Sequence, residues 1–363
     1  MIEENSILEI IIPTFRRPKR AIEAIESCVK EKNCDLVVSC NSNGADTLLS
    51  SHHFVDERVK LSWFDENRGA LANIEHLLCQ ARGKFILIMS DEDKIIGGSL
   101  GRYIDYLSNL DPDVNVVLPS IFDASTNLTY HRNGLFKCNV VIDGSIALTL
   151  DLLHTYLSGY TFRRESLVKL NIKEHFRSVA ANVYPHVDIA RSMLVDSALA
   201  IYIESIIDRG LDEQSGGDAY SHRVISEDAP RMSEQKLDLN PLIYGAEARI
   251  RQFYYELGRS NSDLGKLSRS TRLFIHLGQI ADFGIALNLA NRITVEDVHF
   301  DKRLVLDECL TSFLSSNCGK FASTFANIFR LINLSPIRIA LIINRVITRM
   351  LNTYSSIYCA IRY

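Results

Sequence analysis

The stretch Phe85-Ile-Leu-Ile-Met-Ser90-Asp91-Glu92-Asp93 is an apolar run that stops abruptly in three carboxylates. Near-continuous apolar runs mark parallel strands buried on both faces, so the segment predicts a central strand of an α/β sheet. Ligands of open α/β sheets bind just beyond the carboxyl ends of such strands. Acids placed there are costly to bury without compensation. A hard divalent cation that also takes phosphate oxygens would compensate them, because Mg2+ typically uses one or two carboxylates together with substrate phosphates. The same residues also suit a strand running out into a solvated acidic turn.

The chain has 363 residues, room for one elaborated domain or two. Hydrophobic residues make up 47% and charged residues 23%, which suits a globular protein with a substantial core. A net charge of −4 gives no reason to expect a nucleic-acid partner. The start, Met1-Ile-Glu-Glu-Asn5, is acidic and runs straight into strand-like sequence, so no signal peptide is expected. No window approaches the ~18 apolar residues of a spanning helix. The eight cysteines form no CxxC pair, which fits reduced thiols better than a disulfide framework or a zinc site.

Residues 7–12 predict a first buried strand ended by Pro13-Thr14. Pro18 then opens a helix with Ala21, Ile22, Ile25, Cys28 and Val29 on one face. Strands over 36–40 and 59–64 follow. Asn67-Arg68-Gly69 leads into a helix facing inward through Leu71, Ile74, Leu77, Leu78 and Ala81. This alternation predicts a mostly parallel sheet with helices on both faces. Beyond Asp93 the pattern predicts a helix near 98–109, a strand over 114–118, irregular chain over 121–146, a helix from about 186 to 197 and a strand over 198–207. The core is expected to end near residue 225, followed by a polar linker and a helical extension over 226–300.

The segment 301–363 changes character. After Glu308 there is no acid, while Lys320, Arg330, Arg338, Arg345, Arg349 and Arg362 are interleaved with Phe321, Phe325, Phe329 and the run Ile337 to Ile343. Basic amphipathic helices broken by Pro336 fit a membrane-surface anchor. They also fit a helical hairpin docked on the core with its arginines in water.

Four sequence elements, the last three in register with one another, carry a family resemblance. Ile10-Ile-Ile-Pro13-Thr14-Phe15-Arg16-Arg17-Pro18 resembles the opening strand of family 2 glycosyltransferases of the GT-A fold. Asn67-Arg-Gly69-Ala-Leu-Ala-Asn73, Ala81-Arg-Gly83-Lys-Phe85 and Ser90-Asp-Glu-Asp93 resemble that family's nucleotide-sugar half in order and spacing. The nearest subgroup is similar to abequosyltransferase-like enzymes that build bacterial O-antigen. The resemblance spans residues 7–225. It implies a GT-A catalytic domain over 1–225 and a divalent cation, Mn2+ or Mg2+. It also implies a nucleoside diphosphate sugar as donor, and a polyprenyl-linked or free glycan as acceptor.

By that resemblance Ser90-Asp-Glu-Asp93 is the DXD-type motif, so Asp91 and Asp93 would meet metal, diphosphate and donor ribose. Asp93, the last acid, is the favoured direct ligand, and Glu92 points away. Pro13, Thr14 and Arg16 match positions lining the nucleoside pocket, although Pro and Thr also simply end strands and start helices. Arg16 or Arg17 could reach diphosphate, since arginine suits bidentate phosphate binding. Where many relatives carry an aspartate after the second strand, this chain has Asn41. Asn67 and Gly69 precede a helix N-terminus, a place that favours anions and equally an ordinary cap.

Ser158-Gly159-Tyr160 resembles the acceptor-side glycine segment, with Gly159 and Tyr160 expected near the incoming hydroxyl. Asp188 or His186 falls where relatives carry a general base, though Tyr184-Pro-His-Val-Asp188 matches that pattern poorly, and either side chain could instead cap the helix starting there. His222, in the Gly216-Gly217-Asp218 segment, resembles a late metal-binding histidine and equally a surface-loop residue.

The leading expectation is therefore a metal-dependent glycosyltransferase of O-antigen or surface polysaccharide synthesis, in the cytoplasm at the inner membrane face. A non-catalytic GT-A scaffold at the membrane is the alternative. A sugar-nucleotide pyrophosphorylase would need a glycine-rich basic loop after the first strand, and residues 13–20 contain no glycine.

Overall fold

The computed structural model describes residues 6–31, 35–43, 49, 51–123, 128–129, 136–149, 152–154, 156–178 and 184–210. His222, the boundary near 225, the helical extension over 226–300 and the basic tail over 301–363 lie outside the described residues.

The strands are β1 (Leu8–Thr14), β2 (Leu36–Asn43), β3 (Val59–Phe64), β4 (Phe85–Ile88), β5 (Lys94–Ile95), β6 (Val114–Asp123), β7 (Leu128–Thr129), β8 (Val140–Asp143), β9 (Thr161–Arg163) and β10 (Ala198–Asp208). They form one sheet in the order β3-β2-β1-β4-β9-β6-β10-β5, with β7 on β6 and β8 on β10. The long ladders, β1 with β2 and β4, β2 with β3, and β6 with β10, are parallel. Only short pairings are antiparallel, chiefly the three-residue β9 wedged between β4 and β6. Residues 121–146, expected to be irregular, contain the end of β6, the strands β7 and β8, and the start of a short helix, Gly144–Thr149. Short strands leave too few alternations for periodicity to register.

The apolar runs are continuous because both faces of the sheet are covered. Leu8, Ile10, Ile12, Phe85 and Leu87 pack with the helices Pro18–Val29 and Leu100–Ser108. Their alternates Ile11, Ile86 and Ile88 pack with the helices Gly69–Gln80 and Pro185–Leu194. Successive strand side chains point to opposite faces, so one strand feeds both layers. Each such buried side chain contributes about 1.5–3 kcal/mol over leaving it exposed.

Glu9 breaks the apolar pattern of β1 and is nevertheless buried. Its carboxylate accepts hydrogen bonds from Ser39 Oγ at 2.5 Å and from the Arg82 and Gly83 amides at 2.5 and 2.9 Å. A Cβ on Gly83 would lie 2.7 Å from the Glu9 amide nitrogen, so the glycine of the Ala81–Phe85 motif is needed for β4 to enter beside β1. Cys28, Cys40 and Cys79 are free thiols, as expected, and burial pushes Cys28 up to about 12. Cys138 departs from the expectation of reduced thiols and is disulfide-bonded.

Candidate active site

Three strand registers converge on the acidic turn. In the parallel β1–β4 pair, Leu8 faces Phe85 and Ile11 faces Ile88. Met89 donates its amide to Ile11, continuing that pairing. The same offset sets Thr14 opposite Asp91, and Thr14 Oγ1 donates to Asp91 Oδ2 at 2.5 Å. In the antiparallel β4–β9 pair, Leu87 faces Thr161. Bonds between Ile88 and both Tyr160 and Gly159 carry this register on until Ser158 Oγ meets the Ser90 amide at 2.7 Å. In the antiparallel β5–β10 pair, Lys94 faces Asp208, which brings Gly210 to the turn. The Gly210 amide donates to Asp93 Oδ1 at 2.9 Å. A Cβ there would lie 2.0 Å from the Glu92 carbonyl oxygen.

Asp91 and Asp93 are 1% and 0% exposed. Around Asp93, Tyr156 donates from its hydroxyl to Oδ1 at 2.6 Å and Ser158 donates to Oδ2. Burial pushes the Asp93 carboxyl up from its ordinary value, opposed by the Ser158, Tyr156 and Gly210 hydrogen bonds and by nearby Arg209. Arg209 itself is ion-paired with Asp123 at 2.7 Å and lies over the Tyr156 ring. Asp91 is also pushed up by burial, opposed first by Arg17 and then by Thr14. Arg17 Nη2 stands 3.0 Å from Asp91 Oδ1 as an ion pair, yet that oxygen accepts no directed hydrogen bond. The same guanidinium reaches Glu92 Oε2 through Nη1 at 3.0 Å. Glu92 therefore turns toward the arginines rather than toward water.

The other expected residues fall into distinct settings. Pro13 is half-buried and Arg16 is exposed, with a left-handed backbone at φ 55° and its guanidinium over the Phe15 ring. Asn67 is exposed and its side-chain oxygen accepts from the Gly69 amide at 2.9 Å, while Gly69 starts its helix at φ 83°. Asn41 is fully buried: its amide donates to Asn73 and it accepts from Ser62, so it offers no surface to a base or ribose. Asn73 stitches the ends of β1 and β2 by donating to the Thr14 and Asn41 carbonyls.

Gly159 has φ 94°, which an L side chain rarely adopts. Tyr160 is in the core, its hydroxyl donating to the His154 carbonyl. His186 and Asp188 are 2% and 5% exposed. His186 packs edge-on against Tyr160, and Asp188 Oδ2 lies 2.6 Å from His175 Nε2. A base must touch the hydroxyl it deprotonates, and neither side chain reaches solvent to do so in this conformation. Among the described residues no set of three or more His, Cys, Asp or Glu side chains converges on one point.

Sequence reasoning did not single out Tyr156, His175 or Gly210. Each meets its acid across more than ten residues of chain, so no local spacing announces it. Asn73 lies in the Asn67–Asn73 motif, and an amide one turn into an apolar helix face was the available signal.

A family model described as Glycosyl transferase family 2 matches residues 9–179, the segment that contains β1, the acidic turn and β9. Through this segment, a little under half of its length, the chain is similar to that family. Two curated relatives are similar over part of their length. One is the GalNAc(5)-diNAcBac-PP-undecaprenol beta-1,3-glucosyltransferase of Campylobacter jejuni, 24% identical over 54% of this chain and 64% of its own. The other is the Bacillus subtilis glycosyltransferase TuaG, named for teichuronic acid biosynthesis, 19% identical over 30% of this chain and 44% of its own. The chain thus spans less than two thirds of either relative. Among solved structures, S. aureus TarS 1-349 in complex with UDP-GlcNAc matches with a TM-score of 0.55 and 13% identity, over 95% of this chain and 90% of that one. The UDP complex of the same TarS segment gives 0.54 at 12% identity. These two likenesses show the GT-A fold.

Proposed function

We propose that this protein transfers a sugar from a nucleoside diphosphate donor to a hydroxyl of a glycan acceptor, with a divalent cation held first by Asp91. The observation that carries the reading is Asp91 itself. It is a buried carboxylate at the adjoining carboxyl ends of β1 and β4, and its Oδ1 lacks a directed hydrogen bond. Such an oxygen is the kind of donor a hard cation takes. Asp93, favoured from sequence as the direct ligand, has both oxygens hydrogen-bonded. Its part is to hold the 156–158 segment and Gly210 against the turn, and any metal contact from it is secondary.

A cation bound at Asp91 supplies charge neutralisation to the departing nucleoside diphosphate. With few protein ligands, such a cation would draw further oxygens from phosphate and water, and His222 is a further candidate from outside the described residues. Thr14 orients Asp91, Arg17 lies within reach of phosphate, and Gly159 lets the acceptor-side segment pass close against Ile121. Asp188 or His186 as general base requires a rearrangement that opens the core around Tyr160.

The acceptor we propose is lipid-linked, in assembly of O-antigen or another surface polysaccharide. The curated C. jejuni relative carries undecaprenol in its name, and the basic tail, free of acids after Glu308, suits an anionic bilayer. No helix among the described residues is long and apolar enough to cross a membrane. This reading puts the enzyme at the inner face of the cytoplasmic membrane, held by residues 301–363, with the catalytic domain over 1–225 and the helical extension between them.

The test is binding of UDP-, CDP-, GDP- and dTDP-sugars by calorimetry, with and without Mn2+ or Mg2+, for wild type and Asp91→Ala. The expected result is one donor bound only with metal, and lost in the variant. Absence of binding by every donor in either condition would overturn the transferase reading in favour of a scaffold.

A further inference from the structure

Arg17 sits where a bound cation would act, and its geometry is that of an exchangeable counter-charge. It lies just past the end of β1, as the residue before the helix Pro18–Val29. From there one guanidinium spans two acids, with Nη2 3.0 Å from Asp91 and Nη1 3.0 Å from Glu92. Without Arg17 the Asp91 carboxylate would be buried beside Asp93 with Thr14 and the more distant Arg20 left to stabilise its charge, an expensive arrangement.

The fit is incomplete on both sides. Asp91 Oδ1 accepts no directed hydrogen bond, and Arg17 Nε is buried without a partner. A settled buried arginine–carboxylate pair uses its parallel donors in a fork. This one leaves a donor and an acceptor unspent. Nε together with Nη2 is the edge of a guanidinium that suits a phosphate group.

We propose that Arg17 holds Asp91 only while the site is empty. When nucleoside diphosphate and cation enter, Arg17 releases Asp91 to the cation and turns its Nε and Nη2 to the diphosphate. Arg17 remains tethered by Glu92 throughout, with Arg20 Nη1 3.8 Å from the same carboxylate. Arg17 is thus a competitor for metal alone and a partner for metal plus nucleotide. The inference rests on the proposed cation at Asp91.

The experiment measures Mn2+ binding alone by calorimetry, and then UDP binding at saturating Mn2+, for wild type, Arg17→Gln, Arg17→Lys and Asp91→Asn. Circular dichroism and thermal melts confirm that each variant is folded, and Arg17→Lys, which keeps the charge, serves if Arg17→Gln does not fold. The expected result is Mn2+ bound about tenfold tighter by Arg17→Gln, the scale of one close charge pair. UDP should bind correspondingly weaker, and Arg17→Lys should bind Mn2+ as wild type does but UDP poorly. If Asp91→Asn abolishes Mn2+ binding while Arg17→Gln leaves both affinities unchanged, the exchange is wrong and the cation site stands. If no form binds Mn2+, both fall together.

Discussion

His175 Nε2 lies 2.6 Å from Asp188 Oδ2, and both side chains are almost entirely shut off from solvent. The pair ties the helix Ile172–Ser178 to the first turn of the helix Pro185–Leu194. Removing one member of such a pair strands the other in a low-dielectric setting. His175→Gln and Asp188→Asn should each destabilise the fold by about 3 kcal/mol. The double variant should lose less than the sum, with a coupling of about 1 kcal/mol or more. Urea denaturation of the four proteins measures this, and strict additivity would mean the two side chains do not act as a unit.

Tyr156 donates to the ionised form of Asp93, so Tyr156→Phe should cost stability where that form prevails. The Asp93 carboxyl is raised above its ordinary value by burial, and the Tyr156 bond is among the effects pulling it back down. Loss of the hydroxyl therefore raises the native pKa further. The penalty should be full at pH 8, at about 1.5–3 kcal/mol for a hydrogen bond to a charged group. It should shrink as pH falls through the native pKa of Asp93, where the folded protein holds that proton anyway. Urea midpoints at pH 4.5 and 8 compare the two regimes.

Much of this architecture was legible in the sequence because buried parallel strands and amphipathic helices have strong periodic signals. The strand ending at Ile88, the acids beyond it and the helix before it all stand as expected. Features set by distant registers were not legible. Asn41 looked like a ligand-facing polar residue at a strand end, but its burial depends on Asn73 and Ser62, brought in from the next helix and strand. Tyr160 follows a glycine in the segment expected on the acceptor side, and its own side chain is core, continuing the β9 register. Asp93, the last acid, was the favoured direct ligand, and the β5–β10 and β4–β9 pairings surround it with donors that no local spacing announces.

Asp91→Asn tests what burial costs at the same turn. The Asp91 carboxyl is raised above 3.8, with burial the largest cause. A folded-state pKa above the unfolded value means stability is greatest at low pH and declines as pH rises through the native pKa. The amide cannot ionise and should escape that decline. In EDTA at pH 8, Asp91→Asn should be more stable than wild type by about 1 kcal/mol, the usual scale of relief at a functional site. The advantage should vanish toward pH 4. Thermal melts across that range, with metal excluded, would expose a wrong sign directly.

Gly159 separates two kinds of strain, which makes it the most informative glycine of the site. Its φ of 94° is unfavourable for any L side chain, and a Cβ there would lie 2.9 Å from Ile121 Cδ1 and 3.3 Å from its Cγ1. Gly159→Ala should therefore cost about 1–3 kcal/mol from backbone strain alone, with the contact added. Ile121→Val removes Cδ1, so the double variant should recover the contact part and keep the backbone part. The Gly159 amide donates to Ile88 at 3.0 Å, which holds Ser158 in register against Ser90 and Asp93. Donor binding should follow stability in the single variant and return only partly in the double one. Full recovery would show that φ at this position carries no cost.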